Sequence, residues 1–529
     1  MPSESRRGLV RIASNYARLI MTAVVSLAVV RIMLTAVGQN GWALIALLGS
    51  TVGLSEIPRV LIQVSMIREL GEAHHSGDDN RFKMIYNSAL VLSGMVTLLV
   101  LLAFAILYFA IPLLAIDAPL IGAARWIVVV RGIESCIILA FAAPKNMYKV
   151  TERMVAHNCW QLSTRFCNLT GAVYVLWILQ PSDASLGVAV YATIAAALTT
   201  LVEIVAPILM MRIDRRLIPA PRLACRKGLG IIVRIGAWNL AVHTVSNLHR
   251  RMTAIITNLA VGLAAGSLPL GLAILLTATV RRLVGGVIDG VEAVSTRIST
   301  KGEDKDLHDL LYHTTRLQGA VTFPITVILF VLPEPLLDLW LGDSLTQRAG
   351  ELDVEEVRRT TVTMIRVMLL GFAARAISDG WLRILYGAGH IARYAPLILL
   401  GGFANPLISI VLLYVLPEES RFTAACWGYS AALVLVHGIG LPILASRKLG
   451  MPFMAVITSM TRTFWISLLC IPLLVVGTHL VDGVWSAVSF MATVGAYGTA
   501  YVVFCAWLAL TADERRRIMN FAFRRFRRH

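Results

Sequence analysis

Met368-Leu369-Leu370-Gly371-Phe372-Ala373-Ala374-Arg375-Ala376-Ile377-Ser378-Asp379-Gly380-Trp381-Leu382-Arg383-Ile384-Leu385 reads as a helix apolar enough to cross a bilayer, yet it carries a charge every fourth residue. Arg375, Asp379 and Arg383 stand four residues apart, so they run along one helical face. A second apolar stretch, 267–292, carries Arg281, Arg282, Asp289 and Glu292. A charge at mid-bilayer costs roughly 3 kcal/mol on insertion scales, so it persists only facing a polar interior or a partner. Charged ladders in lipid-spanning helices therefore point to a helix bundle with a wet or ion-paired interior.

The rest of the chain agrees. Its 529 residues are 57% hydrophobic, with a mean hydropathy of +0.73. A spanning helix needs about 20 mostly apolar residues. About fourteen stretches qualify by this rule: 15–37, 41–64, 86–110, 122–143, 160–179, 187–211, 231–260, 267–292, 316–332, 361–385, 395–416, 423–445, 463–480 and 484–511. The fold class expected is all-α, a polytopic membrane bundle of about 14 helices. The short connections leave no room for a soluble domain.

The net charge is +17. In a soluble chain that would point to nucleic acid; here its distribution speaks for topology. If the N-terminus is cytoplasmic and the spans alternate, Arg6, Arg7, Arg11, Lys145, Lys149 and Arg153 lie inside. So do Arg212, Arg215, Arg216, Arg222, Arg226, Lys227 and the arginine-rich tail from Arg515. The outside loops then hold about five basic residues, among them Arg348, Arg358, Arg359 and Arg421. The expectation is an integral cytoplasmic (inner) membrane protein with both termini inside, its basic tail against anionic lipid, and no nucleic-acid partner. The first apolar stretch is too long for a signal peptide and reads as an uncleaved span. The seven cysteines form no C-x-x-C pair and read as packing thiols. No P-loop, Ser-His-Asp set or metal cluster is evident, so no cofactor, metal or catalytic residue is expected.

An internal repeat emerges at a shift of about 224 residues, by the self-similarity test for repeated architectures. Asn15 falls on Asn239, Ala17 on Ala241, Thr22 on Ser246, and Ala36-Val37-Gly38 on Ala260-Val261-Gly262. The expected organisation is a six-helix lobe (1–211), a basic cytoplasmic linker (212–230), a second six-helix lobe (231–446), and an extra hairpin with a basic tail (447–529). Two lobes of even helix number insert in the same orientation, with the transport path between them.

Polar residues mark the interior. Asn15, Arg18, Thr22 and Ser26 share a face of the first span, and Gly49, Gly53, Glu56 and Gln63 a face of the second. Glu56 and Arg59, at i and i+3, also read as a self-neutralising pair. Asn239, His243, Asn247 and Arg250, with Arg251 adjacent, make the seventh span the most polar. It reads either as a cavity wall or as a hydrogen-bonded helix seam. The ladders in 267–292 and 361–385 admit the same two readings, cavity lining or cross-span salt bridges. Arg125, Arg131 and Glu134 of the fourth span sit near the outer boundary and are weaker candidates, and Glu203 reads as a protonation site or a structural carboxyl. Guanidinium holds phosphate oxygens with paired N–H donors and stays charged at physiological pH, and a diphosphate cannot cross hydrocarbon bare. Several arginines in one wet cleft select an anionic headgroup.

Ser14-Asn15-Tyr16-Ala17-Arg18-Leu19, followed by Ala36-Val37-Gly38-Gln39-Asn40-Gly41-Trp42-Ala43-Leu44, resembles the start of polysaccharide-biosynthesis flippases. Glu334-Pro335-Leu336-Leu337-Asp338-Leu339-Trp340-Leu341-Gly342 and Leu385-Tyr386-Gly387-Ala388-Gly389-His390 are similar to later elements of that family. It belongs to the multidrug/oligosaccharidyl-lipid/polysaccharide (MOP) superfamily. The resemblance implies two six-helix lobes that flip a polyprenyl-diphosphate-linked oligosaccharide by alternating access. A polysaccharide polymerase or export complex is the implied partner. By analogy it assigns substrate-binding roles to Arg18, Arg59, Arg250, Arg251, Arg281, Arg282 and Arg375. Glu56, Asp289, Glu292 and Asp379 are the accompanying candidates for coupling or gating. Many oligosaccharide flippases stop at twelve spans; the extra hairpin resembles the lipid II flippase branch. Two other classes stay open: a drug or small-ion exporter of the same fold, and a polyprenyl-dependent glycosyltransferase or ligase. The first outer loop, Val37-Gly38-Gln39-Asn40-Gly41, has no acid for a transferase, and the longest, 333–360, has no histidine for a ligase. A major-facilitator sugar permease would show D-R-x-G-R after the second span, and this chain does not.

Overall fold

The computed structural model describes residues 4–53, 69–74, 76–151, 153–288, 291–301, 304–345, 353–450, 452–481 and 485–509. Among them there is no strand. In chain order the helices are α1 (Glu4–Val52), α2 (Asp79–Ala110), α3 (Ile121–Ala140), α4 (Ala142–Val150), α5 (Met154–Tyr174), α6 (Ala184–Ile213), α7 (Arg226–Val261), α8 (Leu268–Gly285) and α9 (Val291–Lys301). They continue as α10 (Asp304–Val331), α11 (Pro333–Leu341), α12 (Val354–Gly387), α13 (Ile391–Val415), α14 (Ala424–Leu433), α15 (Leu441–Leu449), α16 (Phe453–Leu469), α17 (Ile471–Leu480) and α18 (Ala487–Phe504).

Among the described residues, eleven segments are long and apolar enough to cross a membrane. The number is up to thirteen when α3 with α4, and the two parts of α7, are each taken as one bent span. One of the eleven, Ala13–Val52, has 40 residues. At 1.5 Å per residue it is about 60 Å long, twice the hydrocarbon core. It is broken at Gly38, so it holds the first expected span and the start of the second. The chain is an all-α integral membrane protein.

The break at Gly38 has a chemical cause. Its φ of 73° and ψ of −171° lie in a region that only glycine occupies without strain. Gly262, its counterpart in the repeat, ends α7 with φ 96° and ψ 178°. Two glycines 224 positions apart thus make the same turn at the end of the first and seventh spans.

The helices sort into two compact units: residues 1–286, 343–364 and 391–432, and residues 287–342, 365–390 and 433–529. In the first, α1 packs against α5, α6 and α8, and α7 lies along α13. Glycine allows the last approach: a Cβ on Gly402 would sit 1.9 Å from Val245 Cγ1. Asn405 Nδ2 then donates across the seam to the His249 carbonyl (2.5 Å) and to Thr253 Oγ1 (3.1 Å). Such polar contacts between small-residue faces hold helices together where lipid removes the hydrophobic drive. The outward faces are apolar, as with Leu98, Leu102, Ile106 and Phe109 of α2 and Leu400, Phe403 and Leu407 of α13.

The 212–230 segment, expected as a linker, is fastened along α2. Tyr86 Oη donates to the Leu217 carbonyl (2.8 Å), the Ala220 amide to Asn87 Oδ1 (2.7 Å), and the Cys225 amide to Ser88 Oγ (3.3 Å). Arg216 donates to Asp214 through Nε (3.0 Å) and Nη2 (2.7 Å), and to Asp79 through Nη1 (2.8 Å). Its guanidinium also lies 4.6 Å over the Phe82 ring.

In the second unit α10 is central. Tyr501 Oη of α18 donates to the Ala320 carbonyl (3.0 Å), and Tyr497 and Ser467 share a 2.7 Å hydroxyl contact. Val327, Ile466, Leu474 and Tyr497 share one core, so the C-terminal helices pack on α10. Gln318 of α10 donates to the Ala376 carbonyl (2.7 Å) and accepts from the Gly380 amide (3.0 Å), binding α12.

Two outcomes follow. Gly402→Leu overpacks the α7–α13 seam and is expected to cost about 1–3 kcal/mol, read as a lower melting temperature in detergent; Phe403→Leu, on the lipid-facing side, should change it little. The Arg216 hydrogen bonds hold the Asp214 carboxyl below the usual carboxylate range. A depressed pKa gives stabilisation that is complete above the ordinary value of about 3.9 and is lost as pH falls through the folded value. Amide exchange over 214–225, corrected for intrinsic rates, should therefore stay flat from pH 5 to 8, rise below about pH 4, and be raised at pH 7 by Asp214→Asn.

Candidate functional site

Two cavities of about 250 Å³ each lie in the first unit, and Ile45 and Gly49 of α1 line both. The second is walled by α1, α7 and α8. Its apolar lining includes Trp42, Leu270, Ile274 and Leu275, and its charged lining is Arg251 and Arg282. No Asp or Glu is among the described residues that line it.

Each arginine is placed by its helix. Arg251 is 5% exposed, and its Nη1 donates to the carbonyls of Gly49 (3.1 Å) and Ser50 (2.7 Å) in the last turn of α1. Carbonyls there carry the negative end of the helix dipole and favour a cation. Gly53 makes the room: a Cβ on it would fall 1.6 Å from Arg251 Nη1. Arg282 stands in the last turn of α8, where the dipole again favours a positive charge. Its side chain is exposed and Arg281, beside it, is half-buried.

The other cavity holds a carboxylate partner. Arg131 Nη1 meets Glu134 Oε2 at 2.6 Å across one turn of α3, with Tyr191 of α6 also on the lining. Sequence alone makes Arg131 and Glu134 weaker candidates, and the structure brings both onto one cavity wall. The two residues at i and i+3, with glycines opposite on α1, were the signal available.

Arg18 lies elsewhere in this unit. It donates through Nη1 to Gln161 Oε1 and through Nη2 to Asn15 Oδ1, both at 2.7 Å, joining α1 to α5. Arg375, Asp379 and Glu292 belong to the second unit. Arg375 Nε is 3.9 Å from Asp379 Oδ1, and Arg383 Nη1 is 3.7 Å from Glu292 Oε1 and 3.3 Å from the Ile288 carbonyl. The ladder of α12 thus makes ion pairs, one of which reaches α9. Glu56, Arg59 and Asp289 lie outside the described residues, as does the side chain of Arg250.

One pair escaped the sequence reading. Lys145, expected as a loop cation, sits in α4, which turns 51° from α3, and its ammonium bonds Glu203 Oε1 of α6. Both side chains are almost fully buried. A lysine between Pro144 and Asn146 after a long apolar run reads as a loop; only packing reveals that it is interior.

No sequence-family model and no curated protein sequence matches the chain. Solved structures do match in fold. Lipid II flippase MurJ in an inward closed conformation superposes with a TM-score of 0.67 at 11% identity, covering 94% of this chain and 98% of its own. An inward-facing multidrug resistance MATE transporter of the MOP superfamily gives 0.65 at 10% identity, covering 83% and 98%. A MOP superfamily transporter from Pyrococcus furiosus, described by a reversed polarity of its binding pocket, gives 0.61 at 11%, covering 83% and 95%. The chain has the fold of the MOP superfamily transporters.

Proposed function

We propose that the protein flips an anionic polyprenyl-diphosphate-linked oligosaccharide across the cytoplasmic membrane, by alternating access between its two six-helix lobes, for export of a cell-surface polysaccharide. The observation that carries this reading is the α1–α7–α8 cavity, where Arg251 and Arg282 share a largely apolar wall with Ser50 and Ser267. Guanidinium groups in a low-dielectric cleft attract phosphate oxygens strongly and resist deprotonation. Trp42 and the leucines beside them accept an apolar neighbour, as a lipid-linked anion needs. The inside-basic charge distribution supports cytoplasmic termini. The longer overlap with a lipid flippase, 94% of this chain against 83% for the multidrug transporter, supports a lipid cargo.

Export of small molecules is the competing reading, favoured by the resemblance to multidrug transporters. The two arginines on the cavity's described lining support an anionic cargo over cationic drugs. In this account no side chain performs covalent chemistry. Arg18, Arg59, Arg250, Arg281 and Arg375 remain candidates for guiding the anion, and Glu56, Asp289, Glu292 and Asp379 for coupling. A polymerase or export complex then consumes the flipped glycan.

The test is a liposome assay with a polyprenyl-diphosphate oligosaccharide, scored by the fraction that becomes accessible to an added glycan-cleaving enzyme. Arg251→Gln and Arg282→Gln should each slow flipping about tenfold or more, the scale of a lost charge-assisted hydrogen bond. Wild-type rates in the double variant would reject the proposal. Gly53→Ala, which adds one methyl where the Arg251 guanidinium lies, is expected to lower the rate nearly as far. Inorganic diphosphate should compete and tetraphenylphosphonium should not; the opposite order would favour the exporter reading.

A further inference from the structure

The segment between α6 and α7 has a surface that the cavity does not use. Both flanking helices are long and apolar enough to cross a membrane, α7 as one bent span, which puts residues 214–225 where a membrane–water boundary falls. Inward, the segment's polar groups are satisfied. Tyr86, Asn87 and Ser88, three successive buried residues of α2, bond Leu217, Ala220 and Cys225. Arg216 is committed to Asp214, Asp79 and His74. Gly228, the first buried residue of α7, lies against Ser88 where no Cβ fits.

What points outward is of another kind. Arg212, Arg215, Arg222, Arg226 and Lys227 are all exposed. Between them stand Ile213, Ile218 and Leu223, at 51%, 58% and 47% exposure. Basic residues alternating with large apolar ones are what an interfacial segment needs: cations for phosphate, aliphatic groups for the acyl boundary. A free cytoplasmic linker gains nothing from exposing three aliphatic side chains beside a bilayer. The carboxylates nearest the strap, Asp214 and Asp79, already hold Arg216.

We infer that the 212–227 strap is a docking surface for anionic phospholipid headgroups of the same leaflet, preassembled by its bonds to α2. The five exposed cations engage phosphates while Ile213, Ile218 and Leu223 enter the headgroup–acyl boundary. The bound lipid then pins the α6–α7 connection to the membrane plane.

The experiment compares full-length protein in nanodiscs of phosphatidylcholine alone and with phosphatidylglycerol, and it needs no glycan, so its outcome is separate from the flipping assay. Phosphatidylglycerol should raise the melting temperature and co-purify with the detergent-extracted protein. Each cation removed should weaken retention about fivefold, the worth of one basic residue at an anionic surface. The variant Arg212→Gln/Arg215→Gln/Arg222→Gln/Arg226→Gln/Lys227→Gln should lose retention and stabilisation, while melting as wild type in phosphatidylcholine. Ile218→Ser/Leu223→Ser should weaken retention with the charge intact. Should the quintuple variant fail to fold, Arg222→Gln/Arg226→Gln carries the same test with a smaller loss. Undiminished lipid retention in these variants overturns the inference, and so does full stabilisation by inorganic phosphate without lipid.

Discussion

A charge carried into a lipid-spanning bundle must be met by something other than bulk water. Desolvating an ion costs several kcal/mol even after relaxation, and several interior cations among the described residues have partners placed for them. Three solutions recur. Arg131, Arg375, Arg383 and Lys145 meet carboxylates. Arg18 meets the side-chain amides of Asn15 and Gln161. Arg251 meets main-chain carbonyls at the end of α1. The choice matters for function, since a carboxylate partner cancels the field of an arginine, whereas a carbonyl orients it without contributing a net charge.

That constraint also explains where glycine is placed. Gly53 leaves space for the Arg251 guanidinium, and Gly402 lets α13 approach α7 until Asn405 reaches the His249 carbonyl. Gly38 and Gly262 turn the chain in the same way at equivalent points of the repeat. Beyond the bundle, the α6–α7 strap follows the same rule at the aqueous boundary. Its inward polar groups are paired on α2, and its unspent charge is displayed outward.

The sequence was legible where local rules decide the outcome. Runs of about twenty apolar residues marked about fourteen spans, where the described residues hold eleven to thirteen, and a single Ala-Val-Gly correspondence located the two matching turns. The charged ladder of 361–385 admitted cavity lining or salt bridges, and in α12 its arginines make ion pairs. Their partners were not legible, because Arg383 reaches Glu292 from 91 positions away and Lys145 reaches Glu203 across two helices. Arg251 was harder still: the Gly49 and Ser50 acceptors are backbone carbonyls, which every residue possesses and no motif records. The span ending at 143 likewise left Lys145 in a loop, whereas after the bend it lies buried in α4.

The central claim is that the α1–α7–α8 cavity is wetted and attracts anions. The most direct measurement is the reactivity of Arg282→Cys, in a background with the seven native cysteines replaced, toward small thiol reagents matched in size but opposite in charge. The account predicts that the anionic reagent reacts about tenfold faster, that Arg251→Gln removes most of this preference, and that diphosphate protects the thiol. Equal rates for both reagents, or faster reaction with the cationic one, would contradict it.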